Sequence, residues 1–192
     1  NYCLKDIEFY NKTRGGVTLS GGEPLTQIGF ISKLSKQLYV QGIHVAIDTC
    51  GDIPQKNIEC VLPYCNVWLY DLKVLDEKQY FTYTEGDLPQ VIDNLLFLNK
   101  YSESEIIVRC PIIPSVNDHD AHFMKIGRLV SSLDKVSRIS VLPYHSYGSH
   151  KYEQLGRDYS RQLQCIPSVN LKKAQIWVNE IQKWSTVPVS LS

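Results

Sequence analysis

The sequence predicts an α/β fold built on a parallel β-sheet. Three observations carry that expectation. Five short runs rich in β-branched and aromatic residues punctuate the chain, amphipathic segments at helical spacing lie between them, and each run is too short for a helix yet too continuously apolar for a strand with one wet face. Such runs suit strands covered by helices. A doubly wound open sheet and a whole or partial (β/α) barrel both fit this pattern, and periodicity does not choose between them.

Taken in order, residues NYCLKDIEFYNKT read as the tail of a helix, and GVTL at 16 to 19 is the first strand run. IGFISKLSKQLYVQG follows, with Phe30, Ile31, Leu34 and Leu38 at helical spacing and Gly42 placed to stop the helix near a C-cap. HVAI at 44 to 47 and VWLY at 67 to 70 are the next strand runs, and LPQVIDNLLFLNKY the next clear helix. EIIV at 105 to 108, the amphipathic HDAHFMKIGRLVSSLDK, RISVL at 138 to 142 and a last helix LKKAQIWVNEIQKW complete the series. The chain thus reads βαβαβαβαβα behind a helical remnant. No repeat, low-complexity tract or long linker divides it, so residues 1–192 are expected to form a single domain.

Composition narrows the function. With 43% hydrophobic residues in a chain of 192, a substantial core forms without staples. Twenty Lys and Arg balance twenty Asp and Glu, so no global field recruits nucleic acid or an anionic membrane. No apolar run reaches the ~20 residues that span a bilayer, and no signal-peptide profile opens the chain. A cytoplasmic protein is expected. The first residue is Asn1 rather than Met, and an upstream part is expected too. Six cysteines, at 3, 50, 60, 65, 110 and 165, are spread out in a way that argues against a secreted disulfide framework. Cys60 and Cys65 have no second pair at zinc-site spacing and read as free thiols.

The informative residues follow each strand run: SGGEP (20 to 24), DTCG (48 to 51), DLK (71 to 73), RCPIIPSVND (109 to 118) and PYH (143 to 145). In either architecture the C-terminal ends of parallel strands open onto one mouth. Each motif alone also reads as structure. Glu23 suits a helix N-terminus, Pro24 a first turn, Asp48 a turn, Asp71 and Lys73 a solvent pair, and His145 a packed ring. Five coincidences at equivalent positions favour a site. Asp48 and Asp71 on neighbouring strand ends repel unless a small cation or Lys73 sits between them. Glu23 and Asp48 can take an ammonium, Lys73 and Arg109 a carboxylate, and His145 a hydroxyl or ring nitrogen. The mouth suits a zwitterionic, amino-acid-like ligand with a polar ring.

In this order the motifs resemble the radical S-adenosylmethionine superfamily, and within it the glycyl-radical-enzyme activating enzymes. GGVTLSGGEPL is similar to that family's second-strand motif, IDTCG to its DTNG-type segment, and LYDLK to its DLK. VRCPIIPSVND and VLPYHSYGSHKYEQLG match its last two strand ends. The resemblance implies a partial (β/α)6 TIM-like barrel with strands two to six present and the first missing. It implies that Gly21, Gly22 and Glu23 hold the amino group of S-adenosylmethionine while Ser20 shapes the turn. Lys73 would approach the cofactor's carboxylate, His145 its ribose or adenine side, and Arg109 the cofactor or substrate. Asp48, Thr49, Asp71 and the Leu69 carbonyl would match a monovalent-cation site, and Lys151, Tyr152 and Gly156 an end-of-barrel loop.

The implied activity is abstraction of a hydrogen from a glycine of a partner glycyl radical enzyme of pyruvate formate-lyase type. A 5′-deoxyadenosyl radical does this, after a [4Fe-4S] cluster fed by flavodoxin or ferredoxin cleaves S-adenosylmethionine. The CxxxCxxC that holds such a cluster is absent from the sequence. The chain is therefore expected to be the C-terminal portion of a longer enzyme and inactive alone. The alternatives are a degenerate barrel that binds S-adenosylmethionine or another metabolite without catalysis, and an anaerobic ribonucleotide reductase activase. A missing first strand would leave the run at Val17 as an open sheet edge and favour self-association.

Overall fold

The computed structural model describes residues 3–145 and 168–192, and among these all strands join one parallel sheet in the order β1-β2-β3-β4-β5-β6. The strands are β1 (Gly16–Leu19), β2 (His44–Thr49), β3 (Val67–Asp71), β4 (Glu105–Ile112), β5 (Val136–Pro143) and β6 (Val189–Leu191). Sequential order without a crossover is the order of a barrel wall, and β1 and β6 do not pair, so the wall stays open. The five expected strands are all present. β6 is an addition to them, because three residues behind Pro188 give too short a run to read as a strand.

The helices are α1 (Ile7–Thr13), α2 (Ile28–Val40), α3 (Gln55–Val61), α4 (Glu77–Thr84), α5 (Leu88–Tyr101), α6 (Asp120–Ser131) and α7 (Leu171–Gln182). Side chains cap the later ones: Asp76, Asp87 and Asn170 each accept from a backbone N–H in the first turn of α4, α5 and α7. Lys151, Tyr152, Gly156 and Cys165 lie outside the described residues.

The two faces of the sheet divide the work. On the helix-covered face Val45, Ile47, Trp68, Tyr70, Ile106, Val108, Cys110 and Ile112 are buried against Ile58, Val91, Leu95, Leu98 and Ile126. Burying each large apolar side chain contributes about 1.5–3 kcal/mol. The polar tips in this layer are satisfied: Trp68 Nε1 donates to Ser102 Oγ (3.2 Å) and Tyr70 Oη to the Val91 carbonyl (2.6 Å). The alternate residues Asp48, Leu69, Asp71 and Arg109 point to the opposite face and keep some solvent access. Among the described residues no helix is long and apolar enough to cross a membrane.

Candidate functional site

The register of the parallel sheet brings the strand-end groups together. Asp71 lies opposite Arg109, and Asp48 opposite Leu69. Arg109 Nε donates to Asp71 Oδ1 at 2.8 Å, and its terminal Nη2 lies 2.7 Å from that same oxygen. Nη2 also donates to Asp48 Oδ1. The guanidinium thus bridges two carboxylates, with all three side chains about four-fifths buried. A cation between Asp48 and Asp71 was expected, as either a small ion or Lys73. In the structure Arg109 stands there, reaching across from the next strand. Burial pushes the Asp71 carboxyl above its usual range, outweighing the opposing pull of Arg109.

The network runs on to the first loop. Ser20 Oγ donates to Asp48 Oδ2 at 2.9 Å. Gly21 turns with φ of +152°, which favours glycine, and a methyl built on Gly21 or Gly22 would meet no atom within 4 Å. The backbone of this turn is therefore open to a ligand. Glu23 is heavily engaged. Its carboxylate accepts from Leu25 N (3.1 Å), capping the 3-10 helix Pro24–Gln27, from the Thr49 hydroxyl (3.0 Å) and from Cys50 N (2.9 Å). Glu23 clamps the β1 loop onto the end of β2, leaving part of one carboxylate rim for a ligand.

Beyond β2, Gly51 has φ of +73°, and an added methyl would lie 1.8 Å from the Tyr70 hydroxyl, so only glycine fits this turn. Lys73 is half-buried beyond β3, where its positive charge lowers the proton affinity of both Asp71 and Cys50. His145 sits past the end of β5, exposed, next to a pocket lined by Pro111, Ile113, Leu142 and Tyr144. Ser20, Asp48, Arg109 and Asp71 form one connected group, and Glu23 with Thr49 a second that adjoins it at the end of β2; His145 stands two strands further round from Asp71.

The described cysteines do not assemble. Among the described residues no group of three His, Cys, Asp or Glu side chains could hold a metal ion, and the described cysteines are all free thiols. Burial pushes the Cys50 thiol up to about 11 and that of Cys65 up to about 12. These residues do not fit an iron–sulfur cluster.

The fold agrees with comparisons to known proteins. No protein-family model matches the chain. The trans-4-hydroxy-L-proline dehydratase activating enzyme of Clostridioides difficile is 35% identical over 158 residues, spanning 81% of this chain and 52% of its own. The pyruvate formate-lyase-activating enzyme of Staphylococcus epidermidis is 31% identical over 202 residues, spanning 100% of this chain and 77% of its own. The chain belongs to the glycyl-radical-enzyme activating enzymes. A crystal structure of a domain of pyruvate-formate lyase-activating enzyme from Bacteroides vulgatus superposes with a TM-score of 0.74 at 22% identity, covering 93% of this chain and 99% of that one, which shows the shared fold. The chain spans about half the length of the Clostridioides difficile activating enzyme.

In this activating-enzyme chain, sequence reasoning passed over three asparagines that hold the site loops: Asn57, Asn94 and Asn117. One signal was present. Asn94 interrupts the apolar stripe Val91, Leu95, Leu98 of α5, and a polar residue on a buried stripe has to be satisfied by something specific.

Proposed function

We propose that this chain forms the S-adenosylmethionine-binding mouth of a glycyl-radical-enzyme activating enzyme. One observation carries the reading: the strand ends place three carboxylates (Glu23, Asp48, Asp71) beside two cations (Lys73, Arg109), a formal count of one net negative charge. S-adenosylmethionine, with an ammonium, a sulfonium and a carboxylate, carries one net positive charge and complements it. The open backbone of Gly21 and Gly22 and the remaining rim of Glu23 receive the ammonium, with Ser20 fixing the turn. Lys73 takes the carboxylate, and His145 flanks the nucleoside side. Arg109 acts through Asp48 and Asp71, holding both in place. A monovalent cation on Asp48, Thr49, the Leu69 carbonyl and Asp71 would require the guanidinium to leave its two carboxylates.

When bound and reduced, S-adenosylmethionine supplies a 5′-deoxyadenosyl radical. The strand-end residues bind and orient it, and none of them is a ligand for the cluster. For the whole protein we infer a cytoplasmic setting, supported by the free thiols, and a glycyl radical enzyme of pyruvate formate-lyase type as partner, with flavodoxin or ferredoxin as electron donor. The relatives' names support the partner.

Calorimetric titration with S-adenosylmethionine tests the reading. Saturable binding is expected, weakened about tenfold or more by Lys73→Ala and by Asp48→Ala, in line with loss of a charged hydrogen-bond partner. Equal affinity in wild type and both variants would refute the assignment.

A further inference from the structure

The loops that carry the site groups are held mainly from outside their own βα units. Each is pinned by the unit that follows it. Asn57, on α3 behind β2, donates from Nδ2 to the Leu25 carbonyl (2.9 Å) in the loop after β1. Asn94, on α5 behind β3, donates to the carbonyls of Gly51 (2.7 Å) and Ile53 (2.8 Å) in the loop after β2. Asn117, behind β4, donates to the Lys73 carbonyl (2.7 Å) in the loop after β3 and to the Pro111 carbonyl (2.8 Å), while its Oδ1 accepts from Ile113 N (2.7 Å). Asn94 and Asn117 are each 1% exposed. The fourth step keeps the direction with different chemistry: Lys173 on α7, which follows β5, pairs at 3.0 Å with Asp118 in the loop after β4.

The amide chemistry explains the residue choice. Every one of these Nδ2 groups faces carbonyl oxygens, which an NH2 satisfies and a carboxylate repels. An amide that bonds two chain segments holds them together, most firmly where it is buried and bonded at both Nδ2 and Oδ1, as Asn117 is. The segments joined here are the loop carrying Glu23, the loop that directly follows Asp48 and Thr49, and the loop carrying Lys73. A loop ordered before the ligand arrives spares binding the entropy of ordering it.

We propose that Asn57, Asn94 and Asn117 are positioning residues that pre-order the strand-end mouth, each unit fixing the loop of the unit before it. The ligand named for that mouth rests on the function proposed above; the pinning does not.

Hydrogen–deuterium exchange on the ligand-free full chain, followed by calorimetry with S-adenosylmethionine, tests this. Asn117→Asp keeps the side-chain shape and the acceptor facing Ile113 N–H but sets a charge against two carbonyls. Exchange is expected to rise about ten- to a hundredfold at residues 72–76 and 113–118, with the central strands β2 to β4 unchanged. The affinity for S-adenosylmethionine is expected to fall about tenfold. Asn57→Ala, which removes one half-buried hydrogen bond, serves as the milder variant and should loosen residues 24–27 alone. Unchanged loop exchange, or an equal rise across the core strands, would overturn the pinning. Loops that loosen without any loss of affinity would overturn the positioning role. A wild-type chain that does not bind S-adenosylmethionine counts against the proposed function, while the ligand-free exchange still decides the pinning.

Discussion

Replacing Arg109 with glutamine removes the cation that two buried carboxylates share. Asp48 and Asp71 are each less than one-fifth exposed, and Arg109 is one-fifth exposed. Breaking a fully buried ion pair on one side costs about 3–5 kcal/mol. Partial solvent access discounts this to about 2–4 kcal/mol. For a chain of this size the loss corresponds to a fall in Tm of roughly 5–12 °C. The pH dependence supplies a sharper signature. Asp71 already has a raised proton affinity in the folded state, and removing Arg109 raises it further. A carboxyl whose folded pKa lies above its unfolded value destabilises the fold when ionised, and that penalty is relieved as pH falls through the folded pKa. The stability deficit of Arg109→Gln should therefore be largest near pH 7 and shrink towards pH 4. Adding Asp48→Asn should recover part of it. Urea denaturation of wild type, single and double variants at pH 7 and pH 4.5 reads all three effects. A deficit below about 1 kcal/mol at pH 7, or one that grows on acidification, would refute the bridge as a stabilising element.

Other perturbations test neighbouring parts of the account. His122 is buried on α6 with Nε2 lacking a partner among the described residues, and burial, aided by the charges of His119 and Lys125, lowers its pKa from 6.5 to about 4. A base with a depressed folded pKa contributes stability that is full above pH 6.5 and lost as pH falls towards 4, up to about 3 kcal/mol. His122→Gln should flatten the acid limb of a urea-stability profile over that window, and an unaltered limb would contradict the assignment. Gly51→Ala forces a side chain onto a left-handed residue and into the Tyr70 hydroxyl, at a cost of about 2–4 kcal/mol. Adding Tyr70→Phe should return part of that loss, and strict additivity in thermal melts would exclude the clash as its cause. Among the described residues β1 pairs on one side only, so concentration-dependent association is expected in light scattering, and a monomer at every concentration would remove that inference.

Much of this was legible in the residues because parallel strands covered by helices read as continuous apolar runs. All five runs became strands, and LPQVIDNLLFLNKY became α5 with the bounds its periodicity gives. Shorter elements carried less signal. Of the eight residues of α4 only Tyr80 is buried, so EKQYFTYT shows no apolar stripe, and α3 has just two buried residues in two turns. The site groups were legible by their place after each strand, but their partners depend on register. That Arg109, and not Lys73, meets Asp71 follows from the pairing of β3 with β4, which no local pattern specifies. Glu23 shows the same limit. Its part in capping the turn was readable from the following Pro24, whereas its grip on Thr49 and Cys50 required β1 and β2 side by side. The asparagine links join residues 32 to 44 positions apart and were beyond a linear reading.

The central claim is that these strand ends form one mouth for S-adenosylmethionine. Titrating the isotopically labelled chain with S-adenosylmethionine and following its backbone amide resonances tests it most directly. Saturable shifts at Gly21, Gly22, Cys50 and Lys73, with one common dissociation constant, are the predicted result. Shifts confined to other surfaces, or none at saturating cofactor, would contradict the account.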